Sequence, residues 1–319
     1  HRPPFEIPYG VSFYAALRPL AGSDVSNVAV ARAGSAFFSA LSLVLLAVVA
    51  GRSSAPFATA AVLLWSFAPV NLRTMGFGNL SNVFAQAVFV MFLSAAALMR
   101  PGRSRTLLML ALATLSATAH LSSFIVLAAL VFVAAPLGSE RGAAGFRALA
   151  GGVLLAGSYF ALFLPLILRQ LPRLLGERGG SAGVFDPFRL PVQVAAGLGA
   201  PFLLMLALSA WTSPPRLPLP LSRSILLTTG LLAVAALVSP VEVRYLLAAA
   251  PILALWGASA LADDFGAFPA QSAPSIVHGS GLRALARDGV RQAAGAMILI
   301  AVILHGLRVL LEFIPVAVR

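Results

Sequence analysis

The sequence predicts an all-α fold, a polytopic bundle of about ten transmembrane helices, and three observations carry that expectation. Of the 319 residues, 60% are hydrophobic and only 10% charged, whereas soluble globular domains carry about 25% charge. The mean hydropathy is +0.95. Apolar runs of roughly 18 residues or more, long enough to cross a bilayer core, recur along the chain.

The elements follow in order. Residues 1–24, "HRPPFEIPYGVSFYAALRPLAGSD", are too polar and Pro-rich to span. Within them, 9–20 carries aromatics and Leu on one side, the pattern of a short interfacial helix. The first 24 residues are therefore read as an interfacial segment, which the resemblance given below places on the extracytoplasmic side, and 25–319 as one transmembrane helical domain. Spans are expected at about 25–50, 55–70, 80–99, 106–119, 121–137, 148–168, 191–211, 224–238, 245–262 and 292–311. The pair flanking His120 is short and reads either as two spans or as one broken helix. Between the spans, "NLRTMGFGNLSN" (71–82) is Gly/Asn-rich and "MRPGRSRT" (99–106) is compact and basic. "RQLPRLLGERGGSAGVFDPFRLP" (169–191) is long and mixed in charge. The longest connection, 263–290, is expected to end in an interfacial helix on which Arg283, Arg287 and Arg291 line one face.

Composition excludes several classes. Every one of the 22 basic residues is Arg, and with so much Ala, Gly, Leu and Pro this reads as the codon usage of a GC-rich bacterial gene. The net charge of +12 is no nucleic-acid signal, because the arginines sit singly between spans. Without Cys there is neither a disulfide nor a thiolate metal site. The opening "HRPPFEIPYG" lacks a signal-peptide pattern and reads as the middle of a protein, so the chain is expected to be N-terminally truncated. HExxH, GxSxG and phosphate-loop motifs are absent, and "GERGGSAG" follows no strand. No fixed repeat and no inverted-repeat pattern of broken helices stands out. Alternation through the spans places eleven arginines on one side and ten on the other, with Arg32 inside a span, so charge bias sets no orientation.

Four polar marks suggest chemistry. Arg244 stands with Glu242 and Tyr245 at the mouth of the span 245–262. It serves either as a snorkelling anchor paired with Glu242 or as a phosphate ligand, since a guanidinium grips phosphate bidentately. Arg32 lies roughly 10 Å inside its span at 1.5 Å per residue. Gly34, Ser35, Ser39 and Ser42 follow it, small residues that admit neighbouring helices. An intramembrane Arg is either a functional cation, or half of an internal ion pair or a cap on backbone carbonyls within the bundle. His120, in "SATAHLSSF", sits at a span junction with polar residues on both sides. It suits either a substrate hydroxyl or phosphate, or the carbonyls exposed where a helix breaks. Asn79 and Asn82 suit a substrate-facing loop or plain turn chemistry.

Five stretches in order resemble the membrane region of the GT-C fold glycosyltransferases, enzymes that use polyprenyl-phosphate sugars. "HRPPFEIPYGVSFYAALRPLAG" resembles that family's Pro-Pro element and interfacial helix. "ARAGSAFFSALSLVLLAVVAGR" is similar to its next span. "TMGFGNLSNVFAQAVFVMFLSAAALMR", "TAHLSSFIVLAAL" and "VEVRYLLAAAPILALWGASAL" resemble its Asn-led span, Thr-His stretch and late Arg-Tyr span. The match covers most of 1–262. It implies a multi-pass protein of the bacterial inner membrane whose active side is extracytoplasmic, with a polyprenyl-phosphate lipid as partner. It implies further that Arg244 holds the carrier phosphate, with Tyr245 and Glu242 shaping the site and Arg32 or Arg73 adding charge. His120 and Asn79 would face the same cavity. The acid that activates the acceptor precedes the Pro-Pro element in that family. Here it would lie upstream of His1, and Glu6, after that element, does not take the role. A transporter or flippase for a lipid-linked or anionic solute is the alternative function, using the same arginines without a base. A non-catalytic assembly subunit is a third.

Overall fold

The computed structural model describes residues 11–20, 27–76, 80–137, 144–166, 168–169, 189–212, 221–235, 246, 248–261 and 281–312. Among these residues the secondary structure is helical, without strands. The helices are α1 (Val11–Leu17), α2 (Asn27–Gly51), α3 (Ala55–Ser66), α4 (Pro69–Gly76), α5 (Leu80–Leu98), α6 (Arg103–Ala119), α7 (Leu121–Ala134) and α8 (Ala144–Ala161). They continue with α9 (Arg189–Leu198), α10 (Ala200–Thr212), α11 (Ser222–Ala235), α12 (Ala250–Ala258) and α13 (Gly281–Leu311). Four stretches are long and apolar enough to cross a membrane: α2, α5, α8 and Val290–Leu311 of α13. The bent pair α3–α4 makes a fifth if taken as one span.

Sequence explains why other apolar runs are shorter than a membrane. Pro69 has no N–H and clashes with a preceding helical turn, so α3 ends before it while α4 begins on it. The two axes differ by 42°. Gly199 adopts φ +83 between α9 and α10, the left-handed conformation that only glycine takes without strain. Its N–H closes α9 on the carbonyl of Ala195 at 2.8 Å. His120, extended at φ −159 and ψ 143, separates α6 from α7. Two connections differ from the sequence expectation. The stretch 71–76, read as part of a Gly/Asn-rich loop, is helical in α4. The interfacial helix expected before 292 is continuous with the span after it, because no proline interrupts 281–311.

Side-chain contacts fix the directions of the helices. Phe38 meets Phe84 at 4.8 Å between ring centroids, and Arg52 reaches the carbonyls of Ala97 and Leu98; α2 and α5 are therefore parallel. Ser116 bonds Ala85 and Arg105 bonds Ala96, so α6 runs antiparallel to α5. Gly145 lies on Met109 and Gly152 on Ala113, which sets α8 parallel to α6 and makes α7 the returning helix of a hairpin turned at His120. One end of this group holds α1, the start of α5 and the α6–α7 turn. The opposite end holds Arg52, Arg105 and the C-terminus of α5.

The core centres on α5, which is buried continuously from Ser81 to Val90 and from Phe92 to Ala96. A helix apolar on all sides is buried on all sides. The segment α1 tucks one face against it. Phe13 is 1% exposed and packs on Phe84 at 5.5 Å, and Leu17 fills the notch at Gly34. Tyr14 stays on the outer side, 54% exposed. Small residues allow close approach elsewhere. Gly152 lies so near α6 that a Cβ there would meet Ala113 Cβ at 2.6 Å and Thr114 N at 2.9 Å. The long α13 crosses both helix breaks: His305 covers Gly199, and Gly306 lies against Phe67.

Candidate binding site at the α6–α7 turn

The hairpin turn builds a polar site because it exposes backbone groups that a continuous helix would satisfy. His120 is at once the last cap of α6 and the first of α7. Its Nδ1 accepts the Ser122 N–H at 3.1 Å, and its carbonyl accepts the Phe124 N–H at 3.0 Å. The Ser122 hydroxyl lies 2.7 Å from the same Nδ1 and 3.0 Å from Asn82 Oδ1. The Ser123 hydroxyl lies 3.5 Å from that oxygen.

One hydroxyl hydrogen cannot serve both of Ser122's neighbours. Since Nδ1 already accepts a backbone N–H, it carries no proton, and the short contact requires Ser122 to donate to it. The amide of Asn82 then fits better turned over, with Nδ2 toward the serine oxygens; amide orientation is assigned from such networks. In the orientation present, Nδ2 is buried without a protein partner; turned over, Oδ1 takes its place. Either way, one polar atom of a side chain only 4% exposed is left for something else.

Asn82 lines a small concavity of about 40 Å³ between α5, α6 and α7, room for a few water-sized groups rather than for a whole ligand. Asn82, Gln86, Ser116, Ser122 and Ser123 supply its polar lining, and Phe89 and Leu127 belong to the apolar wall. Ser116 is committed to the carbonyl of Ala85 at 2.8 Å. Gln86 donates to Asn71 Oδ1 at 3.3 Å, and Asn71 Nδ2 donates to the carbonyl of Trp65 in the last turn of α3. The site is thus tied to the α3–α4 break. Its described lining is uncharged and combines hydroxyls, amides and one aromatic ring, a surface suited to a neutral hydroxyl-bearing group rather than to an isolated charge.

The residues singled out from the sequence fall in different places. His120 shapes the turn and holds Ser122. Asn82 stands in helix α5. Arg73 bonds the carbonyl of Ala196 at 3.2 Å and lies 3.9 Å from Glu312, so it caps the C-terminus of α9 and joins it to the end of α13. Arg32 is exposed on α2, whereas Gly34, Ser35 and Ser42 form the buried face of that helix. Asn79, Glu242, Arg244 and Tyr245 lie outside the described residues. Ala248, four positions after Arg244, is in the cavity wall.

Gln86, Ser122 and Ser123 are additions from the structure. Asn82 and Gln86, four residues apart in an otherwise apolar run, share a helix face, and polar side chains in such a run signal function. No comparable signal pairs them with Ser122, 40 positions away. Among the described residues, no three His, Cys, Asp or Glu side chains converge as a metal site. No protein-family model matches the sequence, and no curated protein or solved structure is significantly similar to it.

Proposed function

We propose that this chain is the membrane region of a GT-C-like glycosyltransferase of about ten spans, in a bacterial inner membrane. It takes a sugar from a polyprenyl-phosphate carrier on the extracytoplasmic side. The observation that carries the reading is the buried Asn82 amide, which keeps one unpaired polar atom and lines a small cavity of hydroxyls and amides. A sugar hydroxyl both donates and accepts, so one hydroxyl at the edge of a ring bound outside matches such a lining in either amide orientation. In this reading the carrier phosphate is held by Arg244, whose guanidinium suits bidentate phosphate contacts; Ala248, four residues further on, is in the cavity wall.

In the reaction, the bond between the sugar's anomeric carbon and the phosphate oxygen breaks. The phosphate leaves with the electron pair, the acceptor oxygen bonds to that carbon, and its proton passes to a base. The described cavity residues bind and orient; none of them is a carboxylate. That same feature favours, as second reading, a transporter of a lipid-linked solute.

The test uses the protein expressed from its native reading frame in vesicles, with a polyprenyl-phosphate sugar as probe. Asn82→Leu is expected to weaken binding at least tenfold, as loss of a buried polar partner does, and transfer with it. Unchanged binding removes the cavity from the reading. Binding and translocation without transfer to any acceptor establishes the transporter instead.

A further inference from the structure

We infer that the bundle end opposite the cavity holds the phosphate headgroup of an anionic phospholipid, at Arg100 and Arg103, with an acyl chain lying along α6. This inference is independent of the glycosyltransferase reading and rests on α6 packing between α5 and α8, two helices long and apolar enough to cross a membrane.

Four guanidiniums gather where α5 ends and α6 begins, and they divide into two pairs. Arg105 donates to the carbonyl of Ala96 at 2.6 Å. Arg52 donates to Ala97 at 3.2 Å and to Leu98 at 3.5 Å. These two cap the negative end of α5 and fix the turn between α5 and α6. Arg100 and Arg103 are exposed and have no partner among the described residues. No described carboxylate lies near them. Glu312, the only acid whose side chain is described, sits at the other end with Arg73.

Position makes the pair more than a generic basic surface. Arg103 opens α6, whose cap is Gly102 with no capping side chain and whose first turn holds no acid. Cations there sit at the wrong end of the helix dipole, and a bound anion removes that conflict. Directly below, Leu107, Leu108, Ala111 and Leu115 are exposed at helical spacing. The arrangement is a cationic head above an apolar stripe along one helix. A free anion uses only the head, and a protein partner needs no stripe running into the bilayer. A phospholipid uses both, and basic residues at the edge of a span draw anionic lipid.

The test reconstitutes the chain in phosphatidylcholine vesicles with spin-labelled phosphatidylglycerol or spin-labelled phosphatidylcholine, and reads the motionally restricted fraction. The wild type should prefer phosphatidylglycerol. The double variant Arg100→Gln/Arg103→Gln should lose most of that preference, at ~5-fold per guanidinium. Its thermal unfolding should match the wild type, because neither side chain holds the fold. The double variant Arg18→Gln/Arg308→Gln removes the same charge from exposed positions at the other end and should keep the preference. No preference in the wild type overturns the site, as does an equal loss in both variants, which would mark diffuse charge attraction. Displacement of the labelled lipid by inorganic phosphate alone overturns the assignment to lipid.

Discussion

Arg73 shows how one side chain joins helices far apart in sequence. Its guanidinium bonds the carbonyl of Ala196, one of the last four of α9 that no helical N–H can reach. The second contact, to Glu312 at 3.9 Å, is long and half-exposed, and such pairs contribute about 0–1 kcal/mol. The two contacts therefore make different predictions. Glu312→Gln should lower stability by less than about 1 kcal/mol. Arg73→Gln, which also strips the carbonyl of its charged partner, should cost about 1.5–3 kcal/mol. Thermal melts of both variants in detergent decide it, and equal losses would assign the whole effect to the ion pair. The sequence marks Arg73 only as a cation in a polar stretch, since its partners stand 123 and more positions away. His120 is different, because the break it occupies is local and the hydroxyls after it adjoin it in sequence.

Among the elements, apolar length was enough to place helices within the segments read as spans, and local punctuation explains where those helices stop. Pro69 and the Gly199–Ala200–Pro201 run are visible interruptions. The helix α4 was harder to see, because Gly and Asn nearby favour turns while its packing under α13 is tertiary. Pairing between helices is also tertiary, and Gly152 is its clearest determinant. Backbone atoms of α6 lie where its side chain would go, so the neighbour cannot yield by a rotamer change. Gly152→Leu should destabilise by about 1–3 kcal/mol through overpacking. Gly230→Leu on α11, where an added Cβ meets nothing within 4 Å, should be near neutral. Similar melting temperatures for the two variants would show that α6 and α8 are not closely pressed in the membrane.

At the scale of the whole molecule, the near-even division of arginines between the two sides left orientation open, while side-chain contacts set the helix directions. The helix α13 contributes most to holding distant parts together. A Cβ on Gly306 would meet Phe67 Cβ and its backbone oxygen at 2.8 Å, whereas one on Gly295 would meet chiefly the mobile tips of Leu261. Gly306→Leu should therefore lift α13 from the α3–α4 break, costing about 1–3 kcal/mol, and Gly295→Ala should cost less; chemical unfolding of both variants measures the difference. That clasp also has a consequence in time. Phe67 leaves the ribosome long before Gly306, and at roughly 5–20 residues per second the interval between them is about 12–50 s. Throughout it the bend at Phe67 has entered the bilayer without its partner, so a newly made chain must either be shielded there by insertion machinery or wait as a loosely folded intermediate that membrane proteases can read.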